Sequence, residues 1–260
     1  MRRVGEAVPD AGWSLVVPLK PLPLAKSRLA ETAGNGLRPG LALAFAQDTV
    51  AAALCCPAVR EVVVVTDDRK AAAAMTALGA RAVPDAPGAG LNAALAHGAR
   101  TVRVAVPRAR IAALNADVPA LRPAELARVL AIAGTFPRAF LADAAEIGTT
   151  LLSAAPGVDL APAFGGASRE RHRASGAREI VLDGVDSVRR DVDTGEDLRA
   201  ALALGVGPYT ARMCATVPSG SAAGQGSHPP QDSRTAPGAG DPSPWSATGS
   251  QTRSAAGDGD

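Results

Sequence analysis

Short apolar runs alternate along this chain with longer segments of helical spacing, and that order constrains the fold more than any other feature. Leu15 to Leu19, Glu61 to Thr66, Arg81 to Pro84, Ile111 to Leu114, Arg138 to Ala142 and Glu179 to Leu182 read as strands. The clearest is Glu61 to Thr66, because its β-branched residues suit a pleated surface. Between them, helices are predicted over Leu41 to Leu54, from Asp67 and Asp68 to Leu78 and Gly79, over Gly90 to Gly98, and from about Pro123. A last helix enters through Thr194 and ends near Gly205. Thr101 to Val106 fits either a strand or an extension of the helix before it. Strands alternating with helices predict an α/β fold: a mostly parallel sheet with helices on both faces.

In such sheets, ligands collect outside the carboxyl ends of the strands. Ile111 to Leu114 is an uncharged run, as expected of a strand covered on both faces. It leads to Asp117, a carboxylate able to hold a hard cation such as Mg2+ or to cap the next helix. The loop after the first strand carries Lys20, Lys26 and Arg28, including two of the three lysines in the chain. Its prolines rule out a helix through its first half. Clustered cations there suit a polyphosphate; no GxxxxGK[ST] is present, so this is not a P-loop. Asp191-Val-Asp193 places two carboxylates on one side of an extended segment. With Asp117 they make a candidate cage for Mg2+, although Asp193 also suits helix capping with Thr194. Thr194 and Asp197 resemble a capping box.

Three further stretches suit ligands. Gly88-Ala-Gly-Leu-Asn-Ala93 matches the loose dinucleotide fingerprint, but it follows the third strand and no acid lies about 20 residues on. A turn lining a nucleoside pocket with Gly90 and Asn92 fits better, and a plain tight turn fits as well. Gly148-Thr149-Thr150 and Gly165-Gly166-Ala167-Ser168 read as loop and helix-entry stretches that suit anions. Glycine admits close backbone approach there, and Thr or Ser adds a hydroxyl. Arg169, Arg171 and Arg173 follow at once. Turn chemistry explains these stretches equally well.

Several classes are excluded. Aromatic residues make up 3% of the chain and its formal charge is +2, so neither stacking platforms nor a basic surface for nucleic acid is expected. The three cysteines form no CxxC, and His97, His172 and His228 lack metal-ligand spacing and read as surface residues. No apolar run approaches the ~20 residues of a membrane span, and no signal peptide is evident, so a cytoplasmic location is expected. Residues 1–12 read as a flexible leader, 13–213 as one domain, and 214–260 as a disordered tail. In that tail, 22 of 47 residues are Gly, Pro or Ser, too little apolar bulk to offset ordering entropy. Without GxSxG, HExxH or a Cys/His pair, the available chemistry is electrostatic, as in phosphoryl or nucleotidyl transfer.

Val17-Pro-Leu-Lys-Pro-Leu-Pro-Leu-Ala-Lys-Ser-Arg-Leu29, Gly90-Leu-Asn92, Ala116-Asp-Val-Pro119, Gly148-Thr-Thr150, Phe164-Gly with Ser168-Arg169, and Asp191-Val-Asp-Thr194 occur in one order. In that order the chain resembles the guanylyltransferase family of deazaflavin coenzyme (F-420) biosynthesis. The family comprises phosphoenolpyruvate guanylyltransferases of actinobacteria and 2-phospho-L-lactate guanylyltransferases of archaea. The resemblance implies a three-layer nucleotidyltransferase fold of the glycosyltransferase-A type. It implies transfer of GMP from GTP to a small phosphorylated acid, with release of pyrophosphate. It places Mg2+ on Asp117, Asp191 and Asp193, and the acceptor acid on Thr150, Gly165 and Ser168. Lys20, Lys26 and Arg28 would face the GTP phosphates, Gly90 and Asn92 the nucleoside. A composition typical of GC-rich actinobacterial genes favours phosphoenolpyruvate over 2-phospho-L-lactate or 3-phosphoglycerate, and a downstream deazaflavin transferase is a further expected partner. The chain has Glu146-Ile147 where the family carries glycine-threonine, and a glutamate there is expected to repel an anionic acceptor. That departure is the one feature favouring a non-catalytic nucleotide-binding regulator of the same fold.

Overall fold

In a computed structural model, residues 12–22 and 37–216 are described. Lys26, Arg28 and nearly all of the expected leader and tail lie outside the described residues.

Seven strands form one sheet: β1 (Trp13–Pro18), β2 (Val59–Val65), β3 (Arg81–Val83), β4 (Arg110–Leu114), β5 (Arg138–Ala142), β6 (Thr149–Ala154) and β7 (Arg178–Glu179). Their order is β3-β2-β1-β4-β6-β5-β7. β6 runs antiparallel to both neighbours, and the other pairings are parallel. The sheet is therefore mixed but mostly parallel; the alternation predicted the parallel majority and not the antiparallel β6. β6 is a correction, because Gly148 to Leu152 was expected to be loop. It is a hairpin return from β5, and its leading glycine reads as a turn in the sequence.

The described helices are α1 (Arg38–Leu54), α2 (Arg69–Ala77), α3 (Leu91–Ala105), α4 (Pro123–Ala133), α5 (Ser168–Ala174), α6 (Asp186–Arg189), α7 (Gly195–Leu204) and α8 (Pro208–Ala215). α3 absorbs Thr101 to Ala105, which settles that segment as helix. α8 shows that ordered chain extends past the expected end of the domain at 213. Its first amides, Tyr209 N–H and Thr210 N–H, donate to the buried carboxylate of Asp48 on α1 at 3.0 and 2.7 Å. The capping box at α7 forms: Thr194 Oγ1 accepts from Asp197 N–H, and Asp197 Oδ2 accepts from Thr194 N–H.

Strand alternation sorts side chains to two faces. Leu15, Val17, Val62, Val64, Ala112 and Leu114 pack under α1, α2 and α4. Val16, Val63, Val65, Ile111 and Ala113 pack under α3. Each large side chain so buried stabilises the fold by roughly 1.5–3 kcal/mol. α3 sits close on the sheet at Gly98, where a Cβ would stand 2.5 Å from Val16 Cγ1 and 2.8 Å from Val65 Cγ2. Both faces are covered, so the strand ends are left to carry ligands.

Candidate active site

One pocket opens at the carboxyl ends of β1 and β4. Its lining includes Lys20, Asn115, Asp117, Asp143, Asp191 and Asp193 together with Thr149, Gly165, Gly166 and Ser168. The chain brings these residues in from five separate connections.

Lys20 lies two residues past β1. Leu19 N–H donates to Val65 O at 2.9 Å, and Leu22 N–H donates to Asp68 Oδ2 at 3.0 Å. Asp68 also caps α2, and amide bonds from Ala71 and Leu22 hold its carboxyl below the usual range. The start of the lysine loop is thus tied to a helix cap, with the exposed Lys20 side chain between the two ties.

Asp117 follows β4 through Asn115 and Ala116. Its carbonyl accepts from Val192 N–H at 2.9 Å, which sets Asp117 beside the Asp191–Asp193 segment. Asn115 Nδ2 stands 3.5 Å from Asp191 Oδ2 and 3.3 Å from Thr149 O. Asp117, Asp191 and Asp193 therefore line the same pocket from two connections. The expected three-carboxylate cage is not preformed: among the described residues no three acidic, histidine or cysteine side chains are grouped as a ready ligand set.

The opposite wall is built by Asp143, which follows β5. Its carboxylate accepts from Ile147 N–H at 3.0 Å and Gly148 N–H at 2.8 Å. A Cβ on Gly148 would crowd the Asp143 carboxylate and push it from the Ile147 and Gly148 amides. Sequence reasoning passed over Asp143, although an acid just past a parallel strand is the signal that singled out Asp117. It also gave no role to Asn115.

Two expected contacts move. Thr150 is buried outside the pocket lining, and its neighbour Thr149 lines it instead. The cause is a register shift, with Leu141 opposite Leu151 but Ala142 opposite Thr149, which leaves Thr150 without a partner on β5. Such bulges re-aim side chains. Asn92 was expected to face a nucleoside. Its amide instead clamps the 163–168 loop: Nδ2 donates to Phe164 O at 3.1 Å, and Oδ1 accepts from Phe164 N–H at 2.7 Å. Leu91 rather than Gly90 or Asn92 belongs to the pocket lining; Gly90 starts α3 at φ 92°.

Glu146 points its charge elsewhere. It meets Arg169 at 3.2 Å and Arg189 at 3.4 Å and is absent from the lining, so the expected repulsion is offset by two guanidinium groups. Arg171 donates to Ala163 O and Gly165 O, and Arg173 pairs with Glu170 and Glu179. The three arginines after Ser168 hold this loop and helix together.

His172, read from sequence as a surface residue, is fully buried on α5. Burial, then the positive charges of Arg138 and Arg171, lower its pKa to about 4. The ring is therefore neutral near pH 7. Its spacing of four from Ser168 puts both on one helix face, which was the available signal.

The pocket combines a cation, hard carboxylate oxygens and a glycine- and hydroxyl-bearing wall. It suits two anionic ligands meeting. Among the described residues no helix is long and apolar enough to cross a membrane.

Residues 44–184 match the family model of the MobA-like NTP transferase domain. A protein of Streptomyces coelicolor named phosphoenolpyruvate guanylyltransferase is 72% identical over 203 residues, covering 78% of this chain and 96% of that protein. One of the same name from Mycolicibacterium gilvum is 44% identical over 210 residues, covering 79% and 96%. The solved structure of a nucleotidyl transferase from Methanothermobacter thermautotroptrophicus aligns with a TM-score of 0.54 at 24% identity, covering 74% of this chain and 97% of that one.

Proposed function

Since the chain belongs to the phosphoenolpyruvate guanylyltransferase family, built on the MobA-like NTP transferase domain, we propose that it joins the GMP moiety of GTP to phosphoenolpyruvate. The products are enolpyruvoyl-2-diphospho-5'-guanosine, an intermediate of F-420 biosynthesis, and pyrophosphate, the leaving group. The observation that carries the choice of acceptor is the 72% identity across nearly the whole of a relative so named.

The chemistry needs no protein nucleophile. A phosphate oxygen of the acceptor attacks the α-phosphorus of GTP in line. That P–O bond forms as the bond to the β-phosphate oxygen breaks, and pyrophosphate leaves with its electron pair. Lys20, with Lys26 and Arg28 of the same loop, neutralises the triphosphate and the departing pyrophosphate. Thr149, Gly165 and Ser168 receive the acceptor acid, with Asp143 shaping the turn beneath them. Leu91 borders the nucleoside side, with Gly90 starting its helix.

Nucleotidyltransferases of this family commonly use a divalent cation. Asp117, Asp191 and Asp193 offer hard oxygens from two touching segments, which suits Mg2+, an ion that takes few carboxylates and keeps waters and substrate phosphates. When bound, the cation neutralises charge that develops on the phosphates. The enzyme is placed in the cytoplasm, handing its product to a deazaflavin transferase.

Pyrophosphate release is measured with each NTP against phosphoenolpyruvate, 2-phospho-L-lactate and 3-phosphoglycerate. Turnover confined to GTP with phosphoenolpyruvate supports the reading. GTP binding without turnover on any acceptor would point to the regulator instead.

A further inference from the structure

His172 links three parts of the acceptor wall. Its Nδ1 lies 2.9 Å from Thr149 Oγ1 on β6. Its Nε2 accepts a hydrogen bond from Ala163 N–H at 3.0 Å. The ring meets Phe164 edge-on at 5.1 Å between centroids, and Phe140 on β5 at 5.8 Å.

These contacts fix the proton. A nitrogen that accepts from an amide carries no hydrogen, so in the neutral ring the proton sits on Nδ1. The Nδ1–H then donates to Thr149 Oγ1. An imidazolium would set two donors against each other at Ala163. The charged groups facing the ring are Arg138 of β5 and Arg171 of α5, both cations, and both oppose a second proton.

The consequence falls on Thr149. Its oxygen already accepts from His172, so its own hydroxyl proton must be given to another acceptor. Thr149 lines the same pocket as Lys20. We propose that His172 is a positioning residue for the acceptor acid: its Nδ1–H tautomer makes the Thr149 hydroxyl a donor toward an anionic oxygen of that ligand. The same ring fixes the Ala163–Phe164 segment, and so sets where Gly165 and Gly166 stand. A hydroxyl whose proton is kept free for the ligand favours carboxylate or phosphate oxygens there. This inference rests on reading the Thr149 wall as the acceptor side.

Nitrogen-15 NMR of histidine-labelled protein reads the tautomer directly. The three histidines are told apart by the signal missing in His172→Gln. The expected spectrum has a protonated Nδ1 and an unprotonated Nε2 from about pH 8 to about pH 5. A protonated Nε2, or titration near the ordinary histidine value, would overturn the proposal. Kinetics supply the second arm. Gln keeps an acceptor for the Ala163 amide but loses the donor to Thr149, whereas Asn keeps a donor at the Nδ1 position. His172→Gln should raise KM for phosphoenolpyruvate about tenfold, with KM for GTP within about twofold, and His172→Asn should recover much of the loss. Thr149→Val should match the Gln variant, and the double variant should be no worse than Thr149→Val alone. Equal rises in both KM values, or losses that multiply in the double variant, would mean a merely structural histidine. Silence of the unaltered enzyme toward every phosphorylated acid would sink the functional reading, while the nitrogen shifts would still decide the state of the histidine.

Discussion

Asp117 and Val192, 75 positions apart in the chain, are joined by a backbone hydrogen bond of 2.9 Å from Val192 N–H to Asp117 O. That bond sets the acid past β4 beside the acids flanking Val192. The proposed catalytic half of the pocket depends on this junction. The main-chain bond survives side-chain substitution, so the acids can be tested singly without pulling the segments apart.

Asp117→Asn removes charge and keeps shape. Guanylyl transfer should fall at least about a hundredfold, the scale of losing one preorganised electrostatic contact. The melting temperature should stay close to that of the parent. Pyrophosphate release and a thermal melt on the same preparation check both parts. Substantial residual turnover would remove Asp117 from the mechanism.

Asp143→Ala strips the acceptor from two backbone donors, Ile147 N–H and Gly148 N–H. The loss is roughly 1–3 kcal/mol of local order. It should appear as a raised KM for phosphoenolpyruvate with a smaller change for GTP, measured by varying each substrate at saturation of the other. Gly148→Ala should act in the same direction, because its Cβ collides with Asp143 Oδ2.

Asp48→Ala tests whether α8 belongs to the folded unit. The carboxylate is 3% exposed and receives Tyr209 N–H and Thr210 N–H. Losing it should cost about 1–3 kcal/mol, and each kcal/mol should lower the melting temperature by roughly 2–4 °C. KM values should not move. An unchanged melt would mean that α8 contributes nothing to stability.

Acid should weaken the fold through His172. Its pKa is about 4 when folded and an ordinary 6.5 when unfolded. The unfolded chain therefore takes up the proton first. Stability from this group is whole above about pH 6.5 and is lost as pH falls toward 4, by roughly 3 kcal/mol in all. Urea titrations between about pH 6.5 and pH 5 should show a slope that His172→Gln reduces; the lowered carboxylates of Glu61, Asp68 and Glu179 add their own slope at lower pH.

The sheet was legible because both of its faces are covered, which writes Val62 to Val65 and Ile111 to Leu114 as unbroken apolar runs. β6 was not, since Gly148 signals a turn whether or not a strand follows it. The bulge that exchanges Thr149 for Thr150 arises from pairing with β5, and no local pattern encodes it. Asp117, Asp191, Asp193 and Lys20 were legible as residues of one pocket because acids and cations at strand exits carry their own signal. Asn92 looked like a ligand contact because a helix-entry asparagine suits both tasks, and only the position of Phe164 decides between them. His172 looked peripheral because its spacing of four from Ser168 is a weak signal among the arginines of a short helix. α8 was missed because it is short and opens on Gly207-Pro208, just ahead of the change in composition.

The central claim concerns which acid receives the guanylyl group. The direct measurement is mass spectrometry of a reaction with GTP, Mg2+ and an equal mixture of phosphoenolpyruvate and 2-phospho-L-lactate, coupled to the proposed deazaflavin transferase so that the product is trapped. The account predicts that the trapped product carries the enolpyruvoyl group, with one pyrophosphate released per transfer. A product built mainly on phospholactate, or no guanylylated acid at all, would contradict it.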